Sequence, residues 1–145
     1  SSDLEDADLT LLMSRYSYSV DEFNGLLEFI EDRKEDADIS EIVSMWLAGN
    51  KDLKEKWLDG LNVDDNRGTL IIGLVEWACA VGSTNVLKLL LEELGYTVEI
   101  KSVSTGPLYA GLAYGHIDLT TTVWAPATHG QYLDSYASPD WNVST

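Results

Sequence analysis

The spacing of apolar residues along the chain changes near Arg67. Up to residue 66 the apolar positions recur at intervals of three and four, which is typical of amphipathic helices. One such helix is predicted to begin after Ser19, because Ser19 and Glu22 have the spacing of a capping box, in which each side chain accepts a backbone N–H of the other residue. Its apolar face consists of Phe23, Leu26, Leu27 and Ile30.

The capping-box spacing occurs a second time, at Asp38 and Glu41, before another apolar face. Asn50 is expected to cap a short third helix, which Gly60 would end. Two large aromatic residues lie on the apolar faces of these helices and are expected to be core residues. They are Trp46 and Trp57.

From residue 67 to the end, the pattern alternates between strands and helices. A β-α-β-α-β order implies right-handed crossovers and therefore a parallel sheet. The helices between residues 4 and 59 are expected to cover part of this sheet, because an apolar sheet face must pack on another layer. We therefore predict one α/β domain over residues 1–145, made of a helical segment (1–66) and a β-α-β-α-β segment (67–145). The predicted strands are 69–75, 97–103 and 119–123, and the predicted helices are 83–94, 106–114 and 127–136.

The charge of the chain narrows the range of partners. The formal net charge is −16 and the sequence pI is about 4.1, so the nine Lys and Arg residues cannot offset repulsion from a phosphate backbone. No nucleic-acid partner is expected. The acidic residues concentrate in residues 1–66, where they are expected to form a solvated helical surface. No apolar run approaches the roughly 20 residues of a membrane-spanning helix.

Cysteine and histidine are scarce. The single cysteine, Cys79, excludes an internal disulfide and a cluster of thiolate metal ligands. The two histidines, His116 and His129, have no partner spacing that indicates a metal, and His116 is expected to be a surface or turn residue. No glycine-rich phosphate loop follows the first strand. Neither a metal nor a cofactor is therefore expected.

Two tryptophans occupy equivalent places after predicted strands. Trp77 follows the first strand and Trp124 follows the third. Open α/β sheets bind ligands at the carboxyl ends of their strands, so both indoles are expected to face one crevice. An indole face attracts a cation by about 2 kcal/mol or more when water is excluded. The pair therefore suggests a cage for a cation.

The residues around Trp124 suggest what kind of cation it is. A trimethylammonium group suits aromatic walls, because it is charged but has no N–H to donate. His129 stands at the opening of the predicted helix 127–136, where a ring N–H and free backbone N–H groups favour an anion. Trp124 and His129 thus place a cation wall and an anion donor on one turn. That combination matches a zwitterion such as betaine.

Five segments, taken in order, carry a family resemblance: Ile72–Trp77, Ser83–Val86, Leu94–Val98, Gly106–Tyr109 and Val123–Gly130. In these segments the chain resembles the substrate-binding proteins of glycine betaine ABC transporters. The last segment, with its Trp-x-Pro-x-Thr-His element, is the most specific. The helical part from Leu12 to Trp57 also resembles a segment that precedes this lobe in some members.

The resemblance implies one lobe of a type II periplasmic-binding-protein-like fold, since members have two α/β lobes that close on the ligand and this chain is roughly the size of one. Carried over by position, Trp77 and Trp124 would be cage walls and His129 a carboxylate contact. Tyr109 is expected either to line the cleft or to pack beneath it. The sequence departs from the family pattern at residues 78–80, Ala-Cys-Ala, where relatives often have an acidic or hydroxyl residue.

The resemblance also implies a function. The chain is expected to bind glycine betaine or a related quaternary ammonium osmolyte and to deliver it to an ABC importer permease, without catalysis. A second lobe or a second copy of the chain would complete the cleft. The expected location is extracytoplasmic, in the periplasm or at the cell surface, with membrane association through a lipid anchor or a fused permease.

Two other functions stay open. A free-standing lobe could act as a sensory or adaptor domain by self-association through its exposed tryptophan edge. A hydrolase would use Cys79 as nucleophile and His129 as base, with Glu76 or Asp118 orienting the histidine. The flanking alanines suggest a small buried thiol, however, and neither a helix N-terminus nor a cation is expected to lower its pKa.

Overall fold

The computed structural model describes residues 7–64 and 67–121, and in them helices are followed by alternating strands and helices. This confirms the α/β class. The predicted ends of the first two strands differ from the observed ends by one residue. The predicted helix 127–136 and the end of the predicted strand 119–123 lie outside the described residues. The elements are α1 (Ala7–Arg15), α2 (Val20–Arg33), α3 (Ile39–Ala48), α4 (Lys51–Leu58), β1 (Gly68–Leu74), α5 (Ala78–Leu94), β2 (Tyr96–Ser102), α6 (Thr105–Tyr114) and β3 (Leu119–Thr120).

Both predicted capping boxes are present. The Glu22 N–H donates to Ser19 Oγ at 3.1 Å, and the Ser19 N–H donates to Glu22 Oε1 at 2.8 Å. Asp38 and Glu41 form the same reciprocal pair at the start of α3. These bonds satisfy backbone donors that a helix start leaves without an intrahelical partner.

The predicted side-chain cap at Asn50 is wrong. Asn50 occupies the position before α4, but its side chain makes no capping hydrogen bond. Instead its Nδ2 donates to the Trp46 carbonyl at 2.7 Å. The two helices are so close together in sequence that the amide closes the end of α3 rather than the start of α4.

The sheet has three parallel strands in the order β2-β1-β3. Ile72 of β1 pairs with Ile100 of β2 on one side and with Leu119 of β3 on the other. Residues of β1 alternate between two hydrophobic clusters, so α5 and α6 pack on opposite faces of the sheet. This is the open α/β architecture expected for one lobe of a periplasmic-binding-protein fold.

One core joins the helical segment to the sheet. Phe23 and Trp57 from the helices lie in the same buried cluster as Ile72 of β1 and Leu87 of α5, and all four are fully buried. Trp46 belongs to this cluster too, so the prediction that both helical tryptophans are core residues is confirmed. The acidic helices therefore use one face to cover the sheet, as layer packing requires.

Helix α5 begins at Ala78, five residues before the predicted start at Ser83. Gly82 lies inside the helix. A Cβ at Gly82 would lie 2.7 Å from Ile30 Cδ1, so the glycine lets α2 pack closely on α5. The helix therefore starts directly after Trp77 at the end of the β1 segment.

Candidate ligand site at the carboxyl edge of the sheet

The carboxyl ends of the strands lie side by side. Leu74 and Ser102 are paired as the last residues of β1 and β2, and the Val103 N–H donates to the Leu74 carbonyl at 2.9 Å. On the other side of β1, Gly73 pairs with Thr120 of β3. Residues that follow the three strands therefore emerge at one edge, which is where open α/β sheets place their ligands.

Trp77 stands at this edge as the residue that precedes α5. Its N–H donates to the Val75 carbonyl at 2.7 Å, and its carbonyl accepts from the N–H groups of Ala80 and Val81 at 2.9 and 3.0 Å. The backbone of Trp77 is thus fixed between β1 and the first turn of α5. The residue is only half-buried, so part of it is accessible to solvent.

Tyr109 lies on α6 and is also half-buried. Trp77 and Tyr109 both pack against one small cluster made of Val75, Leu108 and Ile117. The structure therefore brings together two of the four predicted site residues. Tyr109 packs against this cluster, and its place relative to the cleft stays a prediction.

The other two predicted site residues, Trp124 and His129, lie outside the described residues. The chain is described as far as Thr121, which follows β3 at the same edge as Trp77. The tryptophan cage and the histidine contact therefore stay predictions.

A polar bridge lies beside Trp77. Ser102 Oγ donates a hydrogen bond to Glu76 Oε2, which links the residues at the ends of β2 and β1. Glu76 is one of the two carboxylates that a hydrolase would use to orient its histidine, whereas no sequence pattern indicates a role for Ser102. The hydrogen bond instead joins the end of β2 to the segment that follows β1.

Asp118, the second carboxylate considered for a hydrolase, also has a structural partner. Its Oδ2 accepts the Ile71 N–H at 2.8 Å, and its own N–H donates to the Ile71 carbonyl at 2.8 Å. Asp118 precedes β3 and so lies toward the amino end of that strand, whereas Cys79 follows the carboxyl end of β1. Asp118 is therefore poorly placed to orient a histidine base for Cys79.

The thiol of Cys79 is half-buried in the first turn of α5. The expectation that no helix N-terminus lies beside it is wrong, because α5 begins at Ala78. Burial nevertheless raises the pKa of the Cys79 thiol above its ordinary value, although the backbone N–H groups of Cys79 and Ala80 act in the opposite direction. A raised pKa keeps the sulfur protonated near neutral pH and makes it a poor nucleophile.

Three buried hydroxyl groups meet behind the edge, where sequence reasoning had found nothing. Thr121 Oγ1 lies 2.7 Å from Thr84 Oγ1, and Ser83 Oγ donates to Thr121 Oγ1 at 3.2 Å. None of the three residues is more than 2% exposed. Thr121 is 37 positions from Thr84 and 38 positions from Ser83, so no local sequence pattern could have indicated the contact.

Within residues 7–64 and 67–121, no group of three or more His, Cys, Asp or Glu side chains is placed to hold a metal ion. In the same ranges, no helix combines the length and the apolar character needed to cross a membrane.

Comparison with known families decides the relationship of the chain. Residues 68–143 match the substrate-binding domain of the ABC-type glycine betaine transport system. The chain belongs to this family. The part that matches the glycine betaine substrate-binding domain begins at Gly68, the first residue of β1, and contains every predicted site residue. These are Trp77, Tyr109, Trp124 and His129.

An individual member of the glycine betaine-binding family supports the same relationship. The chain is 30% identical over 99 residues to the glycine betaine/carnitine transport binding protein GbuC of Listeria monocytogenes. The similar region covers 68% of this chain and 33% of the relative, so the chain spans about one third of the length of GbuC. By its description, the family is one of transport binding domains rather than enzymes.

Proposed function

We propose that the chain binds glycine betaine or a related quaternary ammonium osmolyte at the carboxyl edge of its sheet and serves an ABC importer. Trp77 and Trp124 form walls around the quaternary ammonium group. His129 holds the carboxylate, and Tyr109 supports Trp77 from beneath. The observation that carries the proposal is the place of Trp77, half-buried at the ligand edge of a sheet whose family binds this class of substrate.

The numbering of the strands supports a role for Trp124 opposite Trp77. Ile71 and Asp118 bond to each other across β1 and β3 and are 47 positions apart. The register pairs of these strands have the same offset, and so do Trp77 and Trp124. In the sequence, each tryptophan therefore stands at the same distance from the paired residues of its own strand.

The chemistry of the edge suits a quaternary ammonium ion better than a primary amine. A primary ammonium group has three N–H donors and needs acceptors, whereas a trimethylammonium group has none. Glu76, the carboxylate that precedes Trp77 in the chain, accepts a hydrogen bond from Ser102. For a cation without N–H donors, the aromatic face of Trp77 is the better partner.

The expected affinity of this chain alone is weak. Two rings at about 2 kcal/mol each give about 4 kcal/mol, which corresponds to roughly millimolar binding. A second lobe or a second copy would add further walls and exclude water, and should tighten binding by orders of magnitude. Delivery to a permease and an extracytoplasmic location belong to this proposal, since ABC importers collect their substrates outside the cytoplasm.

The proposal is tested by titrating the 145-residue chain with glycine betaine and with choline, using NMR shifts to follow weak binding. Trp77→Ala and Trp124→Ala should each weaken betaine binding by roughly thirtyfold, the equivalent of about 2 kcal/mol. Trp57→Phe is the matched control, since Trp57 is fully buried in the helical core. His129→Ala should weaken betaine binding more than choline binding, because choline has no carboxylate.

Two results would contradict these assignments. If Trp57→Phe and Trp124→Ala weakened betaine binding equally, the proposed tryptophan cage would be contradicted. If the ratio of betaine to choline affinity were unchanged in His129→Ala, the proposed contact between His129 and the carboxylate would be contradicted.

A further inference from the structure

An open groove lies between α2 and α3 on the surface of the helical segment. Its volume is about 390 Å³. Its walls come from the two helices, from the turn that joins them and from the first turn of α5. The apolar part of the lining is aliphatic and consists of Leu27, Ile30, Ala37, Ile39, Ile42 and Val81.

The groove is separate from the proposed betaine site. Leu27, Ile30 and Ile39 pack against the cluster that the helical segment shares with α5. Trp77 packs against the other cluster, on the α6 face of the sheet. An occupant of the groove therefore need not touch the edge at which Trp77 stands.

The described residues leave this aliphatic lining partly open to solvent. Leu27, Ile30 and Ile39 are each only half-buried, while Ile42 is 1% exposed. Soluble proteins rarely expose a contiguous apolar surface, and one that is bordered by charged side chains marks an interaction site. The groove therefore has the character of a docking site.

The spacing of the wall residues fits a helical partner. Leu27 and Ile30 are three positions apart on α2, and Ile39 and Ile42 are three positions apart on α3, so each wall presents one helical turn. Side chains at positions i, i+3 and i+4 of a third helix interdigitate with such walls. The volume leaves room for a few aliphatic side chains.

The charge around the groove indicates the rest of the partner's chemistry. Residues 20–48, which include both walls, contain nine of the 25 Asp and Glu residues of the chain and two of its nine Lys and Arg residues. Lys34 also lines the groove, but its Nζ already lies 3.1 Å from Glu31 Oε2. Glu35 and Asp36 are exposed in the turn between the helices. A basic partner is therefore attracted to this surface, and an acidic partner is repelled.

We propose that the groove between α2 and α3 binds a basic amphipathic helix of a partner protein. Aliphatic side chains of that helix fill the groove, and its Lys or Arg side chains face the carboxylates of residues 20–48. The proposal is independent of the betaine site.

The test uses two stapled helical peptides with identical leucine positions, one with lysine and the other with glutamate on the polar face. Each peptide is titrated into the isotope-labelled 145-residue chain in 0.1 M sodium chloride. NMR shifts report both the affinity and the residues that respond. Urea unfolding of every variant checks that it is folded.

Two variants change the groove, and each has a matched control. Ala37→Trp fills the groove, and Ala113→Trp places the same side chain on an exposed position of α6. Ile39→Ala removes part of one wall. Val20→Ala is its control, because Val20 is exposed and is, like Ile39, the first residue of its helix.

The lysine peptide should bind at least about tenfold more tightly than the glutamate peptide and should shift the signals of Leu27, Ile30 and Val81. Ala37→Trp should weaken its binding at least about tenfold, because a few buried anchors dominate an interface. Ile39→Ala should weaken it about three- to tenfold, the loss expected for one or two buried methylene groups. Both controls should bind within about twofold of the original chain.

The proposal is overturned if Ala37→Trp and Ala113→Trp bind the lysine peptide equally, because binding would then be a general attraction to an acidic surface. It is also overturned if the glutamate peptide binds as tightly, or if neither peptide shifts the groove signals. It fails as well if the groove signals change with protein concentration alone, which would indicate a second copy as the occupant. Nuclear Overhauser contacts between the groove and residues 1–6 or 122–145 would identify the chain itself as the occupant and would equally contradict a partner helix.

Discussion

At the scale of single residues, Gly73 decides how α6 meets the sheet. A Cβ at this position would overlap Leu108 Cδ1 and lie 3.1 Å from two carbon atoms of Ile117. Both neighbours are buried and belong to the cluster on which Trp77 and Tyr109 pack. The absence of a side chain at Gly73 therefore lets the floor of the candidate site lie directly on β1.

Gly73→Ala should destabilise the chain by about 1–3 kcal/mol, because an added methyl group in a filled core forces neighbouring side chains off their preferred positions. Gly25→Ala is the control, since Gly25 lies inside α2 with open space around its Cβ position. It should stabilise by up to about 1 kcal/mol, the usual gain when alanine replaces glycine within a helix. Urea unfolding of both variants checks this, and a neutral Gly73→Ala would contradict the packing described here.

At this scale, the sequence predicts the role of a residue when its contact partner lies nearby in the chain. The capping residues Ser19 and Asp38 were predictable because their partners lie three positions away. The reason for Gly82 is Ile30 on another helix, and the partners of Thr121 lie on α5, so neither role was visible along the chain. The place of Trp77 was predictable because it follows from the order of the elements.

At the scale of elements, the connection between α1 and α2 holds two buried phenols and is therefore sensitive to high pH. Tyr16 and Tyr18 lie in it, bonded to each other through their hydroxyl groups and packed around Trp57 with ring centroids 4.9 and 5.2 Å away. Burial raises the pKa of both phenols well above their ordinary value of about 10. The packing of Tyr16 and Tyr18 around Trp57 is therefore stable only while both phenols are neutral.

The chain should lose stability as the pH rises above about 10. In that range the unfolded chain releases the protons of Tyr16 and Tyr18 while the folded chain keeps them, so the free energy of unfolding falls with pH. Below that pH both states are protonated and the contribution is complete. Tyr18→Phe should weaken the dependence, whereas Tyr114→Phe, which removes an exposed phenol, should not.

Urea unfolding between pH 8 and 11.5 measures this dependence. The prediction fails if the unfolding midpoint of the original chain is constant over the range. It also fails if Tyr18→Phe and Tyr114→Phe have the same slope.

At the scale of the whole molecule, the helical segment and the sheet are joined at their boundary. Arg67 Nη2 lies 2.6 Å from Asp8 Oδ2 of α1, and Arg67 Nε donates to the Leu94 carbonyl at the end of α5 at 3.0 Å. Because these contacts add to the shared core around Trp57, we expect the described residues to unfold as one cooperative unit. Repulsion among the acidic residues is expected to lower its stability, since the chain has a net charge of −16.

Thermal unfolding across a sodium chloride series should show one transition whose midpoint rises with salt. Screening reduces the repulsion among acidic residues, and most of the gain should be reached near 0.1 M, where the Debye length is about 10 Å. Two separate transitions would contradict the single unit. A midpoint that falls steadily with salt would show that attractive ion pairs, rather than repulsion, dominate the surface.

The central claim is that aromatic walls at the carboxyl edge recognise the positive charge of a quaternary ammonium group. Titration of the 145-residue chain with glycine betaine and with tert-butylacetate tests it most directly, because the second compound has the same shape and carboxylate but a carbon in place of the charged nitrogen. The account predicts roughly millimolar binding of betaine and at least tenfold weaker binding of tert-butylacetate, since only the cation interacts with the indole quadrupole. Equal binding of the two compounds, or binding of neither, would contradict it.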